Sequence, residues 1–202
     1  VRGNVSSGLG MWKSNDAGES WQHIGLKESY HISRIRIHPK NPDIVYVAVM
    51  GNLYKDSDER GVYKTTNGGE TWTKVLFANS GSGAIDLILD PTNPRLIYAS
   101  TWSFRRTPYS FSSGGEGSKL WKSNDEGNTW KEISSNKGFP EGLLGIIGVT
   151  VSPVNPDRVW AIVENEPKGG LYRSEDGGKN WKLINNQRSI RQRAWYYSRI
   201  YA

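Results

Sequence analysis

Ser14-Asn15-Asp16-Ala17-Gly18-Glu19-Ser20-Trp21 is the first of four copies of one turn sequence. The others are Thr65-Thr66-Asn67-Gly68-Gly69-Glu70-Thr71-Trp72, Ser123-Asn124-Asp125-Glu126-Gly127-Asn128-Thr129-Trp130 and Ser174-Glu175-Asp176-Gly177-Gly178-Lys179-Asn180-Trp181. The shared frame is Ser/Thr-x-Asp/Asn-x-Gly-x-x-Trp, and its tryptophans fall 51, 58 and 51 positions apart. Self-similarity at this period marks a solenoid, a propeller or an array. Each residue type has a local task. Asp16, Asn67, Asp125 and Asp176 can accept hydrogen bonds from downstream N–H groups and close a turn. Gly supplies a positive φ, and the Ser or Thr hydroxyl adds a second local bond. These carboxylates read as structural. An EF-hand would need further ligands and a bidentate Glu at its twelfth position, so no metal site is expected.

A second repeat interleaves with the first: Pro39-Lys40-Asn41-Pro42, Pro91-Thr92-Asn93-Pro94 and Pro153-Val154-Asn155-Pro156. Pro-x-Asn-Pro is turn chemistry. Apolar residues alternate on both sides of it: Ile35 and Ile37 before, then Ile44, Tyr46 and Ala48 after. Period two over short runs reads as β-strand. One unit therefore holds four strands, at about 33–38, 44–49, 62–66 and 72–76. Tandem four-stranded units are the blades of a β-propeller, and the chain reads as all-β. Residues 1–24 give the last two strands of a first blade. Whole blades follow over 33–76, 85–133 and 147–184, and 197–202 opens the first strand of another. Three whole blades and parts of two predict a portion of a larger propeller; a permuted four-blade ring lacking one strand, or two chains closing together, satisfies the count as well.

Composition narrows the rest. The 202 residues contain no cysteine, which excludes disulfides, thiolate metal sites and a cysteine nucleophile. No apolar run reaches the length of a membrane span. Asn4-Val5-Ser6 fits the glycosylation sequon. The net charge is +6, but Lys13, Lys64, Lys122 and Arg173 each sit one residue before the turn frame. That spreads the charge around the ring, and no nucleic acid partner is expected. No cofactor is expected either.

Subtracting the repeats isolates the candidates. Seven of nine tryptophans occupy repeat positions and read as core; Trp102 and Trp195 remain. In an up-and-down blade the short repeated turns share one end of the disc and the variable loops the other. Variable loops on a rigid scaffold are where function concentrates. That end collects Tyr30 and His31, then Tyr54 to Arg60, then Trp102, Arg105, Arg106, Tyr109 and Phe111, then Arg191, Arg193, Trp195 and Tyr196. Gly114-Gly115 reads as a flexible loop tip. Arginines mixed with aromatics suit planar contact with carboxylates or sulfates and stacking on sugar rings. The ligand-binding candidates are thus Tyr30, His31, Trp102, Arg105, Arg106, Tyr109, Arg191, Arg193, Trp195 and Tyr196. A glycosidase would need two carboxylates across the scissile bond. Asp58, Glu59, Glu116, Glu164 and Glu166 lie in loops at this end, and nothing in the sequence pairs them. Asp86, on an innermost strand, is expected to pair with Arg34.

The frame resembles the Asp-box, or bacterial neuraminidase repeat, of sialidases, xyloglucanase-type glycoside hydrolases and sortilin-type propellers. Only Thr65 and Asn67 depart from the strict form. The segments His31-Ile32-Ser33-Arg34-Ile35, Gly83-Ala84-Ile85-Asp86-Leu87 and Arg191-Gln192-Arg193-Ala194-Trp195-Tyr196-Tyr197-Ser198 are similar to exported bacterial proteins described as sortilin N-terminal-like or BNR-repeat glycosyl hydrolase-like. The resemblance implies a secreted or periplasmic protein. The leading expectation is a binding module that takes a glycan or peptide on its loop-rich face, with the remaining blades or a second chain as partner. The alternative is a sialidase- or xyloglucanase-like glycoside hydrolase at the same face. The arginine triad and Tyr-Glu pair of sialidases map onto no residues of this chain.

Overall fold

A computed structural model describes residues 5–202, so Asn4 of the sequon lies outside the described residues. Every strand pair is antiparallel. β1 (Trp12–Lys13) and β2 (Gln22–His23) form a two-stranded sheet. β3 (Ile32–His38), β4 (Asn41–Val49), β5 (Gly61–Thr65) and β6 (Thr73–Leu76) follow as a four-stranded meander. The third sheet holds β7 (Ser82–Leu89), β8 (Ile97–Arg106), β9 (Phe111–Ser113), β10 (Lys119–Ser123) and β11 (Lys131–Glu132). Its order is β7-β8-β10-β11, with β9 pairing on an extension of β8. β12 (Ile147–Val151), β13 (Val159–Val163), β14 (Gly170–Ser174) and β15 (Lys182–Asn185) make the fourth.

The sheets are propeller blades because their first strands lie beside one another. Ser33 Oγ on β3 donates to Ala84 O on β7 at 2.7 Å. Asp86 Oδ2 on β7 accepts from Val149 N on β12 at 3.1 Å. Apolar residues of facing blades fill the space between them. Tyr46, Val62 and Leu76 pack with Leu87, Leu89 and Ile97, while Tyr98 and Leu120 pack with Val149, Val159 and Trp181.

The Asp-box turns close by the bonds their residue types dictate. Asp125 Oδ1 accepts from Ser123 Oγ at 2.8 Å and from Thr129 N at 2.9 Å, and Gly127 N donates to Ser123 Oγ at 2.8 Å. Thr129 Oγ1 donates to the other carboxylate oxygen at 2.6 Å. Asn67 keeps this geometry by reversing one bond: its amide Nδ2 donates to Thr71 Oγ1 at 2.9 Å. The residue before the frame glycine is also left-handed, at φ 57° for Ala17 and 61° for Glu126. A non-glycine residue there costs about 1–2 kcal/mol, and the surrounding hydrogen bonds hold it.

Three expectations change. Trp12 and Trp21 are 48% and 61% exposed, although repeat position marks them as core. Their counterparts Trp72 and Trp130 pack against apolar residues of the preceding blade, Ile24 and Tyr46 among them, and among the described residues no blade stands on that side of β1 and β2. Residues 197–202 do not form a strand: Ala194–Tyr197 is a helical turn, α1, and 198–202 carry no regular structure. A strand there would need a neighbour to pair with. Gly114-Gly115 is not a loop tip. Gly114 N donates to Ser103 O and Gly115 N to Leu144 O, and the hairpin tip lies at 107–110, where Thr107 N donates to Ser110 O.

Candidate functional site

Meander topology puts the Asp-box and Asn-Pro turns at one end of the blades and the β4–β5, β8–β10 and β13–β14 connections at the other. Gly68, Glu126 and Gly177 each donate their N–H to the carbonyl of Asp43, Arg95 and Asp157, joining the two turns of one blade. The opposite end carries the candidates.

Trp102 is not a surface residue. It is fully buried, 5.0 Å from Phe104 and 5.7 Å from Phe111 between ring centroids, and its Nε1 donates to Ser113 Oγ at 2.9 Å. The cause is β9, which folds the long connection back over β8. The indole is removed from ligand contact and becomes the floor on which exposed groups rest. Phe111 lies on it, and Trp195 packs against Phe111 at 4.7 Å.

One carboxylate ties this stack together. Glu164 Oε2 accepts from Ser113 Oγ at 2.6 Å and from Ile146 N at 2.9 Å, and its Oε1 accepts from Trp195 Nε1 at 2.6 Å. It thereby joins β9, the entry to β12 and α1. Sequence reading leaves Glu164 as one of several loop carboxylates, since its partners are 18 to 51 positions away.

Beside it lies an open cleft of about 400 Å³ lined by Glu164, Glu166, Arg188, Arg191, Arg193 and Trp195. The Arg191 side chain is 13% exposed; its Nη1 donates to Asn165 O at 3.4 Å and lies 3.9 Å from Glu166 Oε1. Arg193 adopts φ 56°, a left-handed conformation that starts α1 and turns Trp195 back toward Glu164. Trp195 remains 38% exposed, and Tyr196, beside it, 40%. An indole face, guanidinium groups and two carboxylates around one cleft suit a hydroxyl-rich ring: the indole stacks, and the charged groups hydrogen-bond the rim.

The other candidates lie elsewhere. Arg105 Nη2 pairs with Asp56 Oδ1 at 2.9 Å and its Nη1 donates to Tyr54 O at 2.8 Å, so it staples two loops. Arg106 rests over Phe111 at 5.6 Å. Tyr109 is 92% exposed at the hairpin tip. Tyr30 and His31 line a separate hollow of about 310 Å³, where His31 Nδ1 meets Gly51 O at 3.0 Å. Arg60 is fully buried, with its guanidinium 4.4 Å over Phe104 and its Nη2 on Asn52 O at 2.7 Å; burial pulls it down to about 10. Asp86 accepts from Arg34 Nε at 2.8 Å, from Leu87 N and from Val149 N, the expected inner-strand pairing. A larger hollow of about 970 Å³ opens at the turn end, but its walls include Thr66, Asn67, Gly68 and Gly69 of the recurring turn, which is scaffold.

The comparisons agree with this architecture. The profile of the family described as "Sortilin, neurotensin receptor 3" matches residues 9–137, and that of the BNR-Asp box repeat matches 171–184. The xyloglucanase Xgh74A of Acetivibrio thermocellus is 24% identical over 210 residues, covering 88% of this chain and 23% of its own length. A xyloglucanase of Hypocrea jecorina is 27% identical over 212 residues, covering 88% of this chain and 24% of its own. The chain thus spans about a quarter of the length of the curated relatives it matches. An ancestral GH74 enzyme superposes with a TM-score of 0.64 at 21% identity over 90% of this chain and 22% of its own. The GH74 xyloglucanase of Xanthomonas campestris gives 0.62 at 22% over 87% and 27%. Those two superpositions establish the propeller fold. The family profile covers most of the chain, which therefore belongs to the sortilin, neurotensin receptor 3 family as a run of Asp-box propeller blades.

Proposed function

We propose that this chain is part of a glycoside-hydrolase-type propeller that takes a polysaccharide across its loop-rich end, with one sugar ring seated on Trp195. The observation that carries the reading is the similarity to xyloglucanases over 88% of the chain. The cleft supports it: both Glu164 and Glu166 line the same opening as the exposed indole. Glu164 has its oxygens committed to three donors, so its role is to position Trp195. Glu166, 89% exposed with Arg191 Nη1 3.9 Å from its Oε1, presents its carboxylate to a ligand hydroxyl. A polymeric substrate also fits the export that the sequence resemblance implies, since a polysaccharide is met outside the cell.

The test is release of reducing ends from xyloglucan by the protein, with Trp195→Ala and Trp195→Phe compared. Loss of a stacking contact present in ground and transition state alike raises KM with kcat little changed. A KM at least about tenfold higher in Trp195→Ala, about 1.4 kcal/mol, is the expected result. Binding without release returns the protein to a binding module. Neither binding nor release of this or another polysaccharide overturns the reading.

A further inference from the structure

The net charge of +6 is not spread around the ring, as the repeated Lys and Arg before each turn frame suggest. Of the 26 basic residues, six lie in 177–202, where no acidic residue occurs. The other 20 are matched by the 20 acidic residues of 1–176, so the whole excess belongs to this one segment. Three of its six cations, Arg188, Arg191 and Arg193, line the Trp195 cleft. Arg188 and Arg193 are exposed. Among the described residues, neither enters an ion pair or a side-chain hydrogen bond.

Arg191 is fixed in the cleft wall. Its Nη1 donates to Asn165 O, and a Cβ on Gly169 would stand 2.5 Å from that nitrogen, so the bare glycine makes its space. Its Nε is buried and, among the described residues, has no hydrogen-bond partner. Glu166 Oε1 lies 3.9 Å from Nη1, beyond hydrogen-bond reach, so that pair is loose. Glu164 has its oxygens committed to three uncharged donors. Three guanidinium groups therefore share the cleft with one solvent-reached carboxylate and one exposed indole. An uncharged sugar would use the indole and leave Arg188 and Arg193 idle. A sugar bearing a carboxylate or a sulfate ester uses both parts of the wall: the ring stacks, and the fixed anion takes the planar fork of a guanidinium.

We propose that this cleft selects an anionic polysaccharide, with a ring that carries a carboxylate or a sulfate ester seated on Trp195 and its charge held by Arg188 and Arg193 beside the fixed Arg191. The inference rests on the polysaccharide reading above and adds to it the charge of the sugar. A nucleic acid matches the wall less well. Its phosphates recur at every residue, and Glu166 repels a continuous run of them. One fixed charge beside a stacked ring instead leaves Glu166 to accept from a ring hydroxyl. The cleft, at about 400 Å³, also lies at the small end of ligand pockets, about 300–1,000 Å³, which suits single rings.

The test is calorimetric binding of two matched probe pairs to the 202-residue chain. Oligogalacturonate is compared with its methyl ester, which keeps the ring and removes the charge, and dextran sulfate with dextran. At least about tenfold tighter binding of a charged probe than of its neutral twin is expected, and the pair that shows it assigns the anion as carboxylate or sulfate. The preference should fall below about threefold in Arg188→Gln with Arg193→Gln. It should persist in Lys179→Gln with Lys182→Gln, which removes the same charge away from the cleft. A preference that survives the arginine variant, or that both double variants lose equally, overturns the proposal. Equal binding of charged and neutral probes, both weakened by Trp195→Ala, overturns the charge selectivity and leaves the polysaccharide reading standing. Binding of none of the four, nor of xyloglucan, removes both. A single-stranded oligonucleotide bound as tightly as the charged glycan, and lost with the same two arginines, assigns the cleft to nucleic acid and also overturns the proposal.

Discussion

Replacing Trp102 with Ala distinguishes a floor residue from a ligand contact. Trp102 is fully buried, packs on Phe104 and Phe111 and donates one hydrogen bond to Ser113. A buried tryptophan removes about 150–250 Å² from water, which at about 25 cal/mol/Å² is about 4–6 kcal/mol. The hydrogen bond adds about 1 kcal/mol. Partial collapse of the site returns some of this, and measured Trp→Ala costs in cores run about 3–5 kcal/mol. At about 2–4 °C per kcal/mol for a domain of this size, the melting midpoint should fall by about 6–20 °C. Urea denaturation followed by circular dichroism gives the free energy directly. Trp102→Phe should lose less, because the ring contacts persist and Ser113 Oγ keeps its bond to Glu164. A loss below about 1 kcal/mol for Trp102→Ala, with ligand affinity abolished, would refute the reasoning and return Trp102 to the binding surface.

Arg105→Ala should cost less than about 1 kcal/mol, since its pair with Asp56 is exposed on both sides and surface ion pairs are weak; a larger loss by denaturant titration would contradict the loop-staple reading. Gly138→Ala should be severely destabilising. Gly138 has φ 84°, and a Cβ there would stand 1.9 Å from Trp181 O. A melting midpoint within 2 °C of the parent protein would contradict it. The Asp-box carboxylates set an acid limit. Asp16 and Asp125 are lowered from 3.8 to about 2, chiefly by the Ser20 and Thr129 hydroxyls and then by their N–H groups. Asp176 also falls to about 2, burial opposing but outweighed by bonds from Asn180 and Ser174. The folded state thus holds these groups below their unfolded value, so their contribution is complete above about pH 4 and lost as pH falls toward about 2. Urea midpoints at pH 5 and pH 2.5 should differ in that sense, and the difference should shrink in Asp125→Asn, which copies Asn67.

The fold was legible because its signals are local. Gly127 N donates to Ser123 Oγ and Thr129 N to Asp125 Oδ1, each bond spanning four positions, and Ile35, Tyr46 and Ala48 alternate along their own strands. The site was legible only in outline. Trp195 and Arg193 are solitary residues near the cleft, as subtraction of the repeats indicates. Trp102 is solitary too, yet buried, because solitary residues also build the supports of a site. Its burial depends on β9 pairing with β8 and on Phe111 covering the indole. The role of Glu164 rests on three bonds, to β9 of the neighbouring blade, to the entry of β12 in its own blade and to α1, which no spacing in the sequence announces. The vertical division held where topology alone determines it, since antiparallel meanders must place alternate turns at opposite ends.

The central claim is that recurring residues build this protein while ligand is met at the Trp195 cleft. Hydrogen–deuterium exchange with and without xyloglucan oligosaccharide tests it most directly. Slower exchange should be confined to segments 164–166 and 188–196, with the four turns at 14–21, 65–72, 123–130 and 174–181 unchanged. Protection of those turns, with the cleft segments unaffected, would contradict the account.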